Sequence, residues 1–218
     1  IRNNCINIKN YVFKIMAELI YSKKKELILI YFIFILIKFI KIFILEINAV
    51  PQDLGVRWQL LNTNLLEKDL LRSLYNLHYQ PPLWNLIYGI FIKIYGTEFN
   101  ILSKIIHFFN ILISFVSVYF FYLICNFFQL SKKKTLIIFF IFFIFSPSYL
   151  FYETITHYTH LTTLFFAQLV YFYLKFSEKK SFIYEILIYV TSLLLVYTWT
   201  AFSHPLFIFV IFAGYIIS

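Results

Sequence analysis

The sequence predicts an all-α protein, a polytopic transmembrane helical bundle with about six spans. The chain has 218 residues, of which 61% are hydrophobic and only 13% are charged. Soluble domains of this size carry about 25% charged residues. Several runs stay apolar for about twenty residues, the length that crosses a bilayer core of about 30 Å. The lysines cluster at the ends of these runs, so the net charge of +9 indicates orientation in a membrane rather than nucleic-acid binding.

The chain divides into a short tail and a membrane domain. Residues 1–26 form a polar, basic segment that ends in three consecutive lysines, and we predict a cytoplasmic tail. No small-residue cleavage site follows the next apolar run, which favours a retained span over a signal peptide. Residues 27–218 are predicted as the transmembrane domain. Because the chain begins with Ile1 and stops at Ser218 inside an apolar run, we expect a fragment that is incomplete at its C-terminus.

The first predicted span contains two lysines. Lys38 and Lys41 stand three residues apart, on one helical face. They either snorkel toward an interface or lie inside the bundle and face an anionic group. The predicted spans are Leu27–Ile47, Phe99–Phe128, Thr135–Phe151, Ile155–Phe176, Phe182–Thr200 and Leu206–Ile217.

The loop of residues 48–98, between the first two spans, is the most polar part of the chain. Leucines from Leu60 to Leu74 recur at helical spacing, which predicts an amphipathic helix that lies in the membrane interface. Glu67 and Asp69 fall on its polar face and are predicted to meet solvent. The segment 82–96 is apolar but only about fifteen residues long, so it predicts a re-entrant or interfacial helix rather than a span.

The distribution of basic residues supports this treatment of 82–96. If the segment does not cross, twelve basic residues lie inside and five outside; if it crosses, eight lie inside and nine outside. The first arrangement agrees with the excess of lysine and arginine on the inner side of membranes. It places the loop 48–98, the turn 152–160 and the turn 203–205 together on the outer face.

Asp53 is the strongest candidate for a catalytic residue. It lies within six residues of the end of the first predicted span, near Arg57 and Trp58. It serves either as the N-cap of the following helix or as a general base beside a cation and an aromatic platform. Glu98 is predicted to cap the start of the second span, where a carboxylate favours the helix N-terminus.

Three polar residues fall near the turn between the third and fourth spans. Glu153, His157 and His160 have spacings of four and three, which predicts that they share one helix face. Such a set permits a metal site. The alternative is a polar cluster that binds sugar or phosphate at the mouth of the two spans. No cofactor is certain, and a divalent metal ion stays open.

The order of these features resembles a known family. A basic tail and a span precede Asp53, followed by the interfacial helix and by His-x-x-Pro-Pro-Leu from His78. A short apolar stretch then closes in Tyr95-Gly96, and Lys104 stands early in the next span. Over residues 27–217 this order resembles the membrane glycosyltransferases of the GT-C class. Within it, the pattern is most similar to rhizobial lipopolysaccharide galacturonosyltransferases, lipid A aminoarabinose transferases and, more distantly, protein O-mannosyltransferases.

The resemblance implies an inverting transfer of a sugar from a polyprenyl-phosphate donor to a lipid, glycan or protein acceptor. It places the protein in a bacterial inner membrane with the active site facing the periplasm, in the assembly of cell-envelope glycans such as lipopolysaccharide. Asp53 would be the general base. The donor's phosphate and sugar would be bound by Arg57, Trp58, His78, Gln80, Lys104, Glu153, His157 and His160. The alternatives are a transporter or flippase of lipid-linked sugars, and a polytopic membrane protein without catalysis. No nucleic acid is expected as a partner.

Overall fold

The predicted all-α class is confirmed for the part of the chain that the structure describes. The computed structural model describes residues 23–46, 62–76, 82–155 and 157–198, and these contain helices and short links but no strand. The helices are α1 (Lys23–Ile44), α2 (Thr63–Lys68), α3 (Leu70–Tyr75), α4 (Pro82–Tyr95), α5 (Phe99–Phe127), α6 (Lys132–Ile144), α7 (Pro147–Thr154), α8 (Thr159–Lys179) and α9 (Phe182–Thr198).

Helix α5 lies at the centre of the described structure because it contributes to both apolar cores. One core joins it to α4, α8 and α9 through side chains such as Trp84, Leu102 and Leu195. The other joins it to α1, α6 and α7 through Phe34 and Phe143, among others. A helix that is apolar all round belongs in a protein core or in a membrane, and α5 combines its buried sides with exposed apolar side chains such as Phe108 and Leu112.

The described residues contain two helices that are long and apolar enough to cross a membrane, α1 and α5. A third span results if the bent pair α6 and α7 counts as one. This is fewer than the six predicted spans, and the last of those lies outside the described residues. Helix α8 has 21 residues but more polar side chains, and α9 is a shorter apolar helix with 17 described residues.

The third predicted span, Thr135–Phe151, is two helices rather than one. Helices α6 and α7 meet at an angle of 48°. Helix α6 ends in a π-helical turn over Phe140–Ile144, and Ser146 then takes an extended conformation with ψ 109°. A residue before proline is disfavoured in the helical region, so Pro147 explains the break. Pro147 also begins α7, and the Ser146 hydroxyl caps that helix by accepting the Tyr149 N–H.

The predicted amphipathic helix between the first two predicted spans is also broken. Helix α2 ends at Lys68, Asp69 is extended, and its carboxylate accepts the Arg72 N–H at the start of α3. Glu67 and Asp69 are exposed, as predicted. Leu66 is fully buried and Leu70 packs against the same core, whereas Leu65 and Leu71 are exposed, so only part of the leucine-rich face packs on protein.

Helix α4 confirms the prediction of a short helix over 82–96. Its 14 residues correspond to about 21 Å, less than the thickness of a bilayer core. The Leu70 side chain occupies the space where a Cβ on Gly89 would project, so this glycine lets α3 approach α4 closely. Glu98 stands at the N-cap position of α5 as predicted, but its side chain makes no capping hydrogen bond.

The lysines within residues 23–25, 132–134 and 175–180 form three clusters that lie at one end of the bundle. The Tyr122 hydroxyl, near the end of α5, donates to the carbonyl of Lys23 at 2.6 Å. The Lys175 ammonium lies 5.5 Å from the centre of the Phe127 ring. Lys132 begins α6, five residues after α5 ends. The starts of α1 and α6 and the last turns of α8 therefore gather at the same end.

Candidate functional site

The predicted site residues divide between described and undescribed parts of the chain. Five lie outside the described residues: Asp53, Arg57, Trp58, His78 and Gln80. Lys104 is on α5 with an exposed side chain. The other three, Glu153, His157 and His160, are buried around the turn between α7 and α8.

Glu153 forms a buried ionic cluster with Lys38, Lys41 and His107. The carboxylate is 0% exposed, and it pairs with the ammonium of Lys38 through one oxygen. Its other oxygen lies 3.2 Å from Lys41 Nζ and 3.6 Å from His107 Nε2. Both lysines are 6% exposed, so the snorkelling alternative is wrong. The two cations lie inside the bundle and face an anionic group, which comes from the chain itself.

The ionic cluster satisfies the main requirement for charge in a low-dielectric interior. A buried charge without a partner costs several kcal/mol, which a paired and hydrogen-bonded one recovers in part. Lys41 also donates to the carbonyl of Leu150 at 3.2 Å. The Lys38 ammonium lies 4.9 Å from the centre of the Phe34 ring, a distance at which a cation is attracted to the ring face. The two ammonium groups exceed the one carboxylate by one positive charge.

A second set of polar residues on α5 supports the end of α7. The Asn110 amide donates to the carbonyls of Glu153 and Ile155, each at 3.3 Å. Carbonyls at a helix C-terminus lack partners within the helix, so these bonds compensate for the break. The Ser114 hydroxyl lies 3.2 Å from His160 Nδ1. Helix α5 thus holds both sides of the α7–α8 turn.

The expectation that Glu153, His157 and His160 share one helix face is wrong. Helix α7 ends at Thr154 and α8 begins at Thr159, so the three residues lie on two helices and the link between them. Glu153 faces the lysines and His160 faces Ser114. Within the described ranges, no group of three His, Cys, Asp or Glu side chains is arranged to hold a metal ion.

His157 occupies the link and stacks between two tyrosines. Its ring lies 4.6 Å from that of Tyr152 and 4.1 Å from that of Tyr158, with interplanar angles of 29° and 27°. Its Nδ1 accepts the backbone N–H of Thr159 at 3.2 Å. The Thr159 hydroxyl also contacts this nitrogen, so the start of α8 holds the ring in place.

A cleft of about 670 Å³ opens beside this turn, and we call it the α7–α8 cleft. It is bounded by α7, by the first half of α8, by the π-helical turn of α6 and by Phe121 of α5. Its volume falls in the range of about 300–1,000 Å³ that is typical of ligand sites. His157 lines it, whereas Glu153 and His160 do not.

The sequence contained a signal for the α5 residues that the site prediction missed. His107, Asn110, Ser114 and Ser117 follow one another at intervals of three, four and three in an otherwise apolar helix. Polar side chains at this spacing form one stripe, and in a membrane helix such a stripe faces the bundle interior. All four are buried.

Comparisons with known proteins identified no relative of this chain. No family model matches the sequence, no curated protein matches it, and no solved structure matches it.

Proposed function

We propose that this chain is a membrane glycosyltransferase that transfers a sugar from a polyprenyl-phosphate donor to a lipid, glycan or protein acceptor. In addition to the order of motifs, one structural observation supports this proposal. The ionic cluster joins α1, near the end that leads to Asp53, to α7, near the turn that contains His157. These are the two segments to which the resemblance assigns the site.

Distance along the chain is compatible with one shared site. Asp53 follows the last residue of α1, Ile44, by nine positions (53 − 44). Nine residues span at most about 30 Å when fully extended. The chain is therefore long enough for Asp53 to reach the end of the bundle where Lys41 contacts Glu153.

In the proposed reaction, Asp53 takes the proton of the acceptor hydroxyl as that oxygen attacks the anomeric carbon and inverts it. Cationic side chains stabilise the departing phosphate, and Arg57, His78 and Lys104 are the candidates. Trp58 and Gln80 would contact the sugar. A divalent metal ion that assists the departure of the phosphate is the alternative to these side chains.

Glu153 receives a positioning role in this proposal. Both of its oxygens already face cations, and it lies outside the α7–α8 cleft. A carboxylate held in this way by two ammonium groups is a weak base. We infer that it keeps α1 against α7, while His157 in the cleft and the exposed Lys104 are the described residues assigned to the substrate.

The proposed orientation puts the lysine-rich end of the bundle on the inner side of a bacterial inner membrane. Asp53 and the α7–α8 turn then face outward. We further propose that α8 and α9 cross with α1, α5 and the α6–α7 pair. The 21 residues of α8 correspond to about 31 Å, and the helix is packed between α5 and α9. Its polar side chains therefore need not meet lipid.

The test is the substitution Asp53→Asn, assayed for sugar transfer in membranes with a panel of polyprenyl-phosphate sugars. Loss of a general base costs about 10²–10⁴ in rate, so we expect at least a hundredfold decrease with unchanged expression. Asp69→Asn is the matched control in the same loop, because Asn preserves the N-cap of α3. A wild-type rate in Asp53→Asn would refute the proposal.

A second candidate function is a transporter or flippase of lipid-linked sugars. Transporters place ionisable residues and broken helices within the membrane. Here the α6–α7 pair is bent by 48°, and Asn110 and Ser114 of the buried polar stripe lie in the middle third of α5. Translocation of a fluorescent lipid-linked sugar in vesicles, at the same rate in wild type and Asp53→Asn, would favour this alternative over transfer.

A further inference from the structure

The α7–α8 cleft has an apolar end and a polar end. Four phenylalanines line its apolar part: Phe121, Phe142, Phe143 and Phe166. Hydroxyl groups of serine, threonine and tyrosine, together with His157, line the remainder. Among the described residues that line it, none is Asp, Glu, Lys or Arg.

The two ends are aligned on both walls. Along α8, Thr159, Thr162, Thr163 and Phe166 have the spacing of one helix face and change from hydroxyl to aromatic with distance from the turn. On the other wall, phenylalanines of the α6 π-helical turn precede the hydroxyls of α7. Because a short link joins the end of α7 to the start of α8, the polar ends of the walls coincide.

Two hydroxyls of α8 that line the cleft use their protons within the helix. Thr162 Oγ1 donates to the Tyr158 carbonyl at 3.1 Å, and Thr163 Oγ1 donates to the Thr159 carbonyl at 2.9 Å. Each hydroxyl has one proton and two lone pairs, so both oxygens keep acceptor capacity. His157 lines the same end of the cleft, and the rings of Tyr152 and Tyr158 that stack on it add flat apolar surface.

We propose that the α7–α8 cleft binds a membrane lipid with an uncharged, hydroxyl-rich headgroup, a neutral glycolipid in chemical class. The phenylalanines contact its hydrocarbon chain, and the threonine oxygens bind the hydroxyls of its head. A phosphate headgroup would bring a charge that none of the described lining side chains neutralises, which is costly in a partly desolvated site. His157 belongs both to this cleft and to the proposed transfer site, but the lipid assignment rests on the uncharged described lining of the cleft and not on the transfer reaction.

The experiment uses the whole chain in phosphatidylcholine nanodiscs and two photoreactive probes. Dodecyl maltoside and dodecyl phosphate carry the same diazirine at the same position of the chain, and cross-linked peptides are identified by mass spectrometry. We expect the maltoside to label α7 and α8 at least tenfold more than the phosphate, with competition by unlabelled maltoside. Equal labelling by the two probes, or labelling that unlabelled maltoside does not reduce, would overturn the proposal.

Isosteric variants test the headgroup contacts. Thr162→Val together with Thr163→Val removes two acceptors, and at the usual strength of neutral hydrogen bonds we expect about tenfold weaker competition. Thr198→Val is the control: it also removes a hydroxyl bonded to a carbonyl four residues earlier, on α9 and away from the cleft. Wild-type competition in the double variant overturns the headgroup assignment. If the double variant does not fold, the comparison of the two probes on wild type decides alone.

Labelling of Asp53→Asn separates this site from the transfer reaction. We expect labelling at the wild-type level even where transfer is lost. A cleft that stays unlabelled in a chain with active transfer would refute the lipid site and leave the proposed function intact.

Discussion

The substitution Glu153→Gln tests whether the buried ionic cluster is held by charge. Glutamine keeps the shape of the side chain but removes the negative charge between Lys38 and Lys41. Two ammonium groups, each 6% exposed, then lie together without a counter-charge. We expect a large loss of stability, because a buried charge without its partner loses its compensation while its desolvation remains.

The geometry sets the size of this loss. At the 3.2 Å between Lys41 Nζ and Glu153 Oε1, and at an effective dielectric constant of about 20, the gross attraction is about 5 kcal/mol. Removing one partner of a buried pair costs about 3–5 kcal/mol. For a chain of this length each kcal/mol lowers the melting temperature by about 2–4 °C. The expected decrease is therefore about 6–20 °C.

The measurement is thermal unfolding of the purified chain in detergent, with Glu178→Gln as the control. Glu178 pairs with Lys175 at 2.7 Å, but on the exposed last turns of α8. Exposed ion pairs contribute little to stability, so the control should have the melting temperature of the wild-type chain. Neutral hydrogen bonds between membrane helices average about 0.6 kcal/mol. If the melting temperature of Glu153→Gln falls by no more than this free energy accounts for, the cluster is not held by charge.

Two further predictions concern packing and topology. Gly89→Ala should destabilise the wild-type chain by about 1–3 kcal/mol, because the added methyl group overpacks against Leu70. In a Leu70→Ala background the same substitution should stabilise the chain by about 1 kcal/mol through helix propensity. Equal effects on the melting temperature in the two backgrounds would contradict the contact. In a chain without its native cysteines, Lys132→Cys should resist an impermeant thiol reagent added outside the cell while Glu67→Cys reacts, and reaction at position 132 would show that 82–96 crosses.

The sequence predicted helices well where a long apolar run has no internal break. Helix α5 begins at Phe99 as predicted, and it ends within one residue of the predicted Phe128. The prediction failed at local stops inside apolar or leucine-rich segments. Pro147 and Asp69 each end a helix through their own backbone or capping preferences, which periodicity does not detect.

The candidate site was predictable in part. The two lysines of α1 were recognised as facing either lipid headgroups or an anion, and periodicity alone could not decide. The decision needed the partner, Glu153, which lies more than a hundred positions away and was assigned to a histidine cluster. Pairing between distant helices depends on how the bundle packs, and one sequence does not determine it.

The role of Glu153 can be separated from its stability effect by removing the whole ionic group. Replacing a buried ion pair or triad with apolar residues of similar volume is often neutral or stabilising by about 1–4 kcal/mol. We therefore expect Lys38→Met, Lys41→Met and Glu153→Leu together to restore the melting temperature that Glu153→Gln lowers. Because Glu153 does not line the α7–α8 cleft, the proposed sugar transfer should return with the fold. Restored stability without restored transfer would instead mean that the carboxylate or its lysines act on the substrate, and Glu153 would then be more than a link between α1 and α7.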